Sequence, residues 1–252
     1  MNYDPTLTQG ARNAIQVCLR LQPNERLTLI ADRAASEIAA ALIDQIDQVG
    51  AEYRSFVLED LIDRPSADMP IEILRDLERS QVSIFAAQAE TGELSMRMQM
   101  MSVVNRQRIR HGHMVNISKS IMLQGMRADF QQIDRLSSII MGKARQAQRI
   151  KAQTPNGTDL VAEFSPKLNW VKTSGIISRD KWGNLPGGEI FTSPFNVNGV
   201  FVVDGVVGDY LCQKYGDLKS TPLRIEITDT RITHLDCANK DLLNEFAAYT
   251  RT

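Results

Sequence analysis

The 252-residue sequence contains few of the residues that build disulfide or zinc scaffolds. Its three cysteines, Cys18, Cys212 and Cys237, are odd in number and lie far apart, which excludes a disulfide framework and a closed multi-cysteine zinc site. No apolar run approaches the roughly 20 residues that a membrane-spanning helix needs. The N-terminus also lacks the basic and apolar regions of a signal peptide. We therefore expect a cytoplasmic protein that has no membrane partner.

Several catalytic motifs are also missing. No GxGxxG or Walker sequence follows the first predicted strand, so the chain lacks a dinucleotide or P-loop fingerprint. Ser174, Ser193 and Cys212 are candidate nucleophiles, but none lies in a Gly-x-Ser-x-Gly turn. With three histidines in the chain, no base can be assigned to any of them. The sequence therefore disfavours nucleophilic catalysis.

The charge is unevenly distributed although the net charge is only -1. Residues 106–151 contain ten Lys or Arg residues against the two acids Asp129 and Asp134. Such a segment binds nucleic acid or an anionic ligand in some proteins, but nucleic-acid binding also needs aromatic residues, and Phe130 is the only one here. The pattern favours a solvated helix face balanced by acidic neighbours, and we expect no nucleic-acid partner.

The first part of the chain, residues 1–152, alternates predicted strands and helices. Helices are predicted at 7–21, 34–49, 69–79, 94–104 and 130–150, and strands at 26–31, 53–58, 82–87 and 113–117. This alternation indicates right-handed crossovers and a mostly parallel sheet with helices on both faces. The predicted fold class is α/β, with an N-terminal doubly wound, Rossmann-like domain.

The second part, residues 153–252, is predicted to be a smaller β-rich α+β domain. Strands are expected at 159–164 and 199–207, a hairpin at 223–235 with its turn at Asp229–Thr230, and a helix at 240–249. Asp204–Gly205 is another turn signal that could join two strands.

His111 and His113 are two residues apart, so on a strand their side chains project to the same face. A metal clip would need further ligands, and Arg108 and Arg110 would repel a cation. A structural or anion-facing pair is therefore favoured over a metal site.

The segment 184–194, NLPGGEIFTSP, carries the strongest chemical signal in the sequence. Pro186 restricts the backbone, whereas Gly187 and Gly188 permit conformations that other residues resist. Glu189 then stands at the start of a predicted strand. A carboxylate presented in this way suits a metal ligand or a general base, and on spacing alone a solvated glutamate is equally compatible.

This segment resembles the signature of the thermophilic-type leucyl aminopeptidases, a metallopeptidase family. Its Gly-Gly version is also similar to shorter relatives that include the iron-dependent 2,5-dihydroxypyridine 5,6-dioxygenases. Residues 154–160 and 199–205 agree with the same pattern. The resemblance implies a homodimer that acts on a peptide or a small-molecule substrate, and it assigns the first metal-binding glutamate to Glu189. The implied cofactor is a divalent metal, Zn, Co or Mn, or Fe(II) in the dioxygenase alternative.

In the resembled family, the other metal ligands follow the helix that matches residues 240–249. Because this sequence ends at Thr252, we expect the metal site and the second domain to be incomplete, as in a truncated chain. His234 precedes that helix and is no substitute. Three hypotheses follow: a metal-dependent aminopeptidase-like protein with an incomplete site, an Fe(II)-dependent ring-cleaving dioxygenase, or a non-catalytic binding or assembly protein on the same scaffold.

Overall fold

The structure is a computed structural model that describes residues 2–251. The chain divides into two compact units. One comprises the residues up to Ile140 together with Lys172–Ile190, and the other comprises Met141–Val171 and the residues from Phe191 onward. The predicted boundary between residues 152 and 153 places Lys172–Ile190 in the second domain, whereas in the structure this segment belongs to the first unit because it contributes a strand to the first sheet.

The first unit is built on a five-stranded parallel sheet. Its strands are β1 (Arg26–Ala31), β2 (Glu52–Val57), β3 (Val82–Ala86), β4 (Arg110–His113) and β8 (Gly183–Asn184), in the spatial order β2-β1-β3-β4-β8. β1 and β3 are short, almost continuously apolar runs, as strands covered on both faces are. This order is that of a doubly wound sheet, and the predicted α/β fold class is confirmed.

Helices cover both faces of this sheet. They are α1 (Thr8–Arg12), which continues as a π-helical stretch Asn13–Cys18, α2 (Ser36–Val49), α3 (Ile71–Leu77), α4 (Leu94–Gln107), α5 (Lys119–Leu123) and α6 (Phe130–Ala144). Alternate strand residues enter opposite cores: Leu29 and Ile84 pack with α1 and α2, whereas Ile30 and Phe85 pack with α3 and α4. Gly50 ends α2 in the left-handed conformation, with φ 78°.

Two predicted elements in this region were wrong in position. The fourth strand was predicted at 113–117, but β4 ends at His113, and Met114 and Ile117 are buried beyond it in the core. The true strand has the polar sequence Arg-His-Gly-His, which no apolar pattern can indicate. The helix predicted at 130–150 ends at Ala144, because Arg149 and the residues after it form a strand paired with the second sheet.

The second unit contains a separate five-stranded antiparallel sheet. Its strands are β5 (Arg149–Gln153), β6 (Asp159–Glu163), β10 (Asn196–Val203), β11 (Leu223–Thr228) and β12 (Arg231–Asp236), in the order β12-β11-β10-β6-β5. α7 (Gly208–Tyr215) and α8 (Lys240–Thr250) pack through Leu211, Leu242 and Phe246 on Leu223 and Ile225. The predicted β-rich second part is therefore confirmed.

Turns explain how this sheet is connected. Asp229 and Thr230 have φ values of 48° and 66° and join β11 to β12 in the two-residue hairpin that the sequence predicts. Asp204–Gly205 joins β10 to α7 rather than joining two strands. The short strands β7 (Val171–Thr173) and β9 (Glu189–Phe191) form a two-stranded sheet of their own. In residues 2–251 no helix has the length and apolar character needed to cross a membrane.

Candidate functional site

Glu189 is the first residue of β9, and its side chain is exposed. Thr173 on the neighbouring strand β7 donates its hydroxyl proton to Oε1 of Glu189 over 3.1 Å. The preceding turn is tight: a Cβ atom on Gly187 would lie 2.6 Å from the backbone nitrogen of Gly175. A side chain at this position would therefore force the turn to shift, two residues before Glu189.

Two lysines lie in the surroundings of Glu189. The ammonium group of Lys181 donates to the backbone carbonyl of Lys172. Burial lowers the pKa of Lys181, the positive charge of Lys172 lowers it further, and Glu189 opposes both effects. Because the negative charge of the Glu189 carboxylate attracts the Lys181 ammonium group, it helps to keep Lys181 protonated.

Lys172 is held by an acid on α6. Its ammonium group donates to Oδ1 of Asp134 over 2.8 Å and to the hydroxyl of Ser138 over 2.9 Å. Ser174 donates its hydroxyl proton to the same oxygen of Asp134. Burial by itself would raise the pKa of Asp134, but the hydrogen bonds from Lys172 and Ser174 outweigh it and lower the pKa. This cluster is a satisfied structural network.

The described residues do not by themselves fit a metal centre. Within residues 2–251 no group of three or more His, Cys, Asp or Glu side chains is placed to hold a metal ion. Glu189 offers one carboxylate, with a threonine and a lysine as its neighbours. His234 lies exposed on β12 in the second unit, as the sequence placed it. The structure therefore supports at most one metal ligand at this position.

The candidate nucleophiles lack a base. Ser174 is 3% exposed, and its hydroxyl donates to Asp134. Cys212 lies on α7. Among the side-chain hydrogen bonds of the described part of the chain, His111 bonds to Ser83 and His113, and no histidine bonds to Ser174, Ser193 or Cys212. These residues do not form a Ser-His or Cys-His arrangement.

The two histidines of β4, of which His111 is buried and His113 partly buried, form a hydrogen-bonded chain with Ser83. Nδ1 of His111 lies 2.8 Å from Oγ of Ser83 on β3, and Nε2 of His111 lies 3.1 Å from Nδ1 of His113. His113 stacks on Phe85, with ring centroids 5.5 Å apart, and meets the edge of Trp182 at 5.7 Å. The sequence correctly placed both rings on one face, and in the structure the two rings hydrogen-bond to each other.

Burial keeps both rings neutral. It lowers the pKa of His111 well below its ordinary value, and the neighbouring His113 adds to this effect. Burial also lowers the pKa of His113 to about 4, with a smaller contribution from the positive charge of Arg97. At neutral pH the imidazole rings of His111 and His113 are therefore uncharged.

A second charged cluster lies at the carboxyl ends of β1 and β3, and sequence reasoning missed it. Asp32 directly follows β1, and its Oδ2 accepts from Arg64 over 3.1 Å and from the backbone N–H of Gln88 over 2.6 Å. Arg64 also binds Glu93. In doubly wound sheets, ligands bind at this edge, where the strand order reverses. The sequence signal that could have indicated this cluster is Asp32, an acid that directly follows a buried strand.

The basic segment 106–151 is partly neutralised by acids from other parts of the chain. Five of its residues form ion pairs: Arg106 with Glu78, Arg108 with Asp180, Arg110 with Glu25, Lys119 with Asp4, and Lys151 with Asp159. These pairs agree with a helix and strand surface balanced by acidic neighbours.

Comparisons with known proteins find similarity at the level of the fold. No protein-family profile and no curated protein sequence matches the chain. A 2,5-dihydroxypyridine dioxygenase from Pseudomonas putida KT2440 superposes with a TM-score of 0.70 and 13% identity, over 96% of this chain and 71% of that protein. Wild-type AmpT from Thermus thermophilus superposes with a TM-score of 0.61 and 13% identity, over 93% of this chain and 72% of that protein. These proteins belong to the two groups that the 184–194 motif resembles, and this chain has the fold that they share.

Proposed function

We propose that this chain is a metal-dependent aminopeptidase-like protein, a hydrolase of N-terminal peptide residues, whose metal site is incomplete among the described residues, and that Glu189 is the one ligand they supply. The observation that supports the proposal is the close approach of Gly187 to the backbone of Gly175, in the tight turn just before Glu189. Thr173 occupies only Oε1 of Glu189. The other oxygen is the donor that the proposal assigns to Zn, Co or Mn.

The position of Lys181 gives the proposal an electrostatic consequence. A divalent cation bound to Glu189 would be repelled by the ammonium group of Lys181, which interacts with the same carboxylate. Replacing this lysine by an uncharged residue should therefore strengthen metal binding. If Glu189 does not bind metal, the same replacement should leave the metal affinity of the protein unchanged.

A second candidate is an Fe(II)-dependent ring-cleaving dioxygenase. The paired glycines Gly187 and Gly188 support this branch, since the Gly-Gly version of the motif is the one that resembles it. The two candidates differ in metal and in co-substrate. The hydrolase takes water and a peptide, whereas the dioxygenase takes O₂ and a dihydroxypyridine.

The experiment combines metal titration with two activity assays on the purified chain. Calorimetric titrations with Co²⁺, Zn²⁺ and Mn²⁺ are paired with hydrolysis of an aminoacyl-anilide, and anaerobic Fe²⁺ loading is followed by O₂ and 2,5-dihydroxypyridine. We expect Glu189→Gln to weaken Co²⁺ binding about tenfold or more, because it removes an anionic ligand. Glu72→Gln, at an exposed position on α3, is the matched control.

Lys181→Met supplies the second arm of the experiment. We expect it to tighten Co²⁺ binding severalfold, whereas Lys167→Met at an exposed site should not. Turnover of the dihydroxypyridine alone would replace the hydrolase by the dioxygenase. Absence of both saturable metal binding and turnover would overturn the proposal in favour of a non-catalytic binding protein.

A further inference from the structure

The tautomer of His113 is set by a buried serine two side chains away. The Ser83 hydroxyl is fully buried, and within residues 2–251 its only hydrogen-bond partner is Nδ1 of His111. If the hydroxyl accepted a proton from His111, its own proton would be buried without an acceptor, which is unfavourable. Ser83 therefore donates to Nδ1, and the proton of neutral His111 resides on Nε2.

The same reasoning extends to the next ring. Nε2 of His111 now carries the proton, so it donates to Nδ1 of His113 over 3.1 Å. Neutral His113 must then carry its proton on Nε2. Among the hydrogen bonds of residues 2–251, none involves Nε2 of His113. The chain from Ser83 thus ends in an N–H donor without an acceptor in the described protein. This nitrogen is not one of the solvent-shielded atoms that lack a partner, so it is open to water or to a ligand.

A second unused donor belongs to Arg97, on the helix that follows β3. Nε of Arg97 on α4 is shielded from solvent and has no hydrogen-bond partner among the described residues. The positive charge of Arg97 is near enough to His113 to influence its protonation. His113 is the last residue of β4, so both donors stand at the carboxyl edge of the sheet, where open α/β sheets bind ligands.

We propose that Nε2–H of His113 and the guanidinium group of Arg97 bind a small oxyanion, namely the carboxylate of an aromatic acid. Two donors without acceptors in the protein, one of them cationic and shielded from solvent, suit a ligand group that only accepts, and a carboxylate is such a group. The partly exposed indole of Trp182, 37% exposed and at the edge of the His113 ring, provides an apolar contact for an aromatic ring. His113 pairs with Asn184 of the 184–194 segment and Trp182 follows Lys181, so the two sites are neighbours. Arg97 and Glu189 lie on different elements and are tested with different probes and variants, so either proposal can fail without the other.

The test uses benzoate, acetate and inorganic phosphate as probes of the full chain. Trp170→Phe leaves Trp182 as the one tryptophan, so that its fluorescence reports on the site. We expect a saturable change with benzoate, a weaker response with acetate, and a perturbed Nε2–H signal of His113 in ¹⁵N spectra of the labelled imidazoles. Tighter binding of phosphate than of benzoate would overturn the assignment to an aromatic carboxylate.

Arg97→Met removes the guanidinium group while keeping an unbranched side chain. We expect it to weaken benzoate binding about tenfold or more, since a charged hydrogen bond is lost. Arg106→Met, on the same helix but in an exposed pair with Glu78, should not change binding. Equal weakening by both variants, or no saturable response in the parent chain, would overturn the proposal. A proton on Nδ1 of His113 in the wild-type spectra would also overturn it, independently of any variant.

Discussion

Arg64 and Glu93 are joined by two parallel hydrogen bonds, from Nε to Oε1 over 2.8 Å and from Nη2 to Oε2 over 2.7 Å. Their side chains are 4% and 0% exposed. Arg64 lowers the pKa of Glu93 through these bonds, against the opposing effect of burial. Because Nη1 of the same guanidinium group also reaches Asp32, one cation neutralises two buried acids.

The first prediction concerns this cluster. We expect Arg64→Met to lower the free energy of unfolding by about 3–5 kcal/mol, because it leaves buried carboxylates without their counter-charge. Urea denaturation monitored by circular dichroism measures the change. Arg33→Met is the matched control: Arg33 pairs with Asp60 at the surface, with side chains 70% and 59% exposed, and should contribute about 1 kcal/mol or less. Similar losses in both variants would show that the buried cluster is not specifically stabilising.

The second prediction concerns acid. The ordinary pKa of histidine is about 6.5, whereas that of His113 is about 4 in the folded chain and that of His111 is also lowered. At a pH between the folded and unfolded pKa values, the two histidines bind protons in the unfolded chain and not in the folded chain. Folding stability should therefore decrease as the pH falls from about 6.5 towards 4, by up to about 1.4 kcal/mol per pH unit for each proton.

His113→Asn tests this origin of the acid sensitivity. Asparagine offers an oxygen near the position of Nδ1, so it can accept from His111 while removing one titrating group. We expect the pH dependence of the urea midpoint to become shallower between pH 6.5 and 4. His234→Gln, at an exposed position on β12, provides the control. An unchanged slope in His113→Asn would assign the acid sensitivity to other groups.

Local sequence patterns predicted those parts of the fold that depend on neighbouring residues. The apolar run of β1 was placed at its observed bounds. The Asp229–Thr230 turn was predicted from its place inside a segment rich in Ile and Thr, and both residues are left-handed in the structure. β4 and β8 have no such pattern. β4 is polar, and β8 consists of Gly183–Asn184, which reaches the sheet only by pairing with Gly112 and His113.

The candidate site was predictable to the same extent. The motif predicted Glu189 at the start of a strand, and Glu189 is the first residue of β9. Its neighbours Thr173 and Lys181 were not predictable, because they come from another strand and a separate turn. The hydrogen-bonded chain from Ser83 to His113 depends on the register of β3 against β4, which the spacing of residues within one strand does not reveal.

The last prediction compares two glycines with opposite surroundings. In Gly187→Ala the new methyl group would lie 2.6 Å from the nitrogen and 3.0 Å from Cα of Gly175, and neither backbone atom can give way as a flexible side chain can. We expect the variant to lose about 1–3 kcal/mol of stability, as overpacked positions do, and to displace Glu189. A structure or ¹⁵N spectrum should show shifts at Glu189 and Thr173.

Gly142→Ala is the matched substitution, on α6 with no atom within 4 Å of the new methyl group. In a helix, alanine is favoured over glycine by about 0.5–1 kcal/mol, so this variant should melt at a higher temperature than the parent chain. The two changes add the same methyl group, and calorimetry should give shifts of opposite sign. If Gly187→Ala were neutral, the turn would be able to relax, and the motif glycine would not be what positions the Glu189 carboxylate.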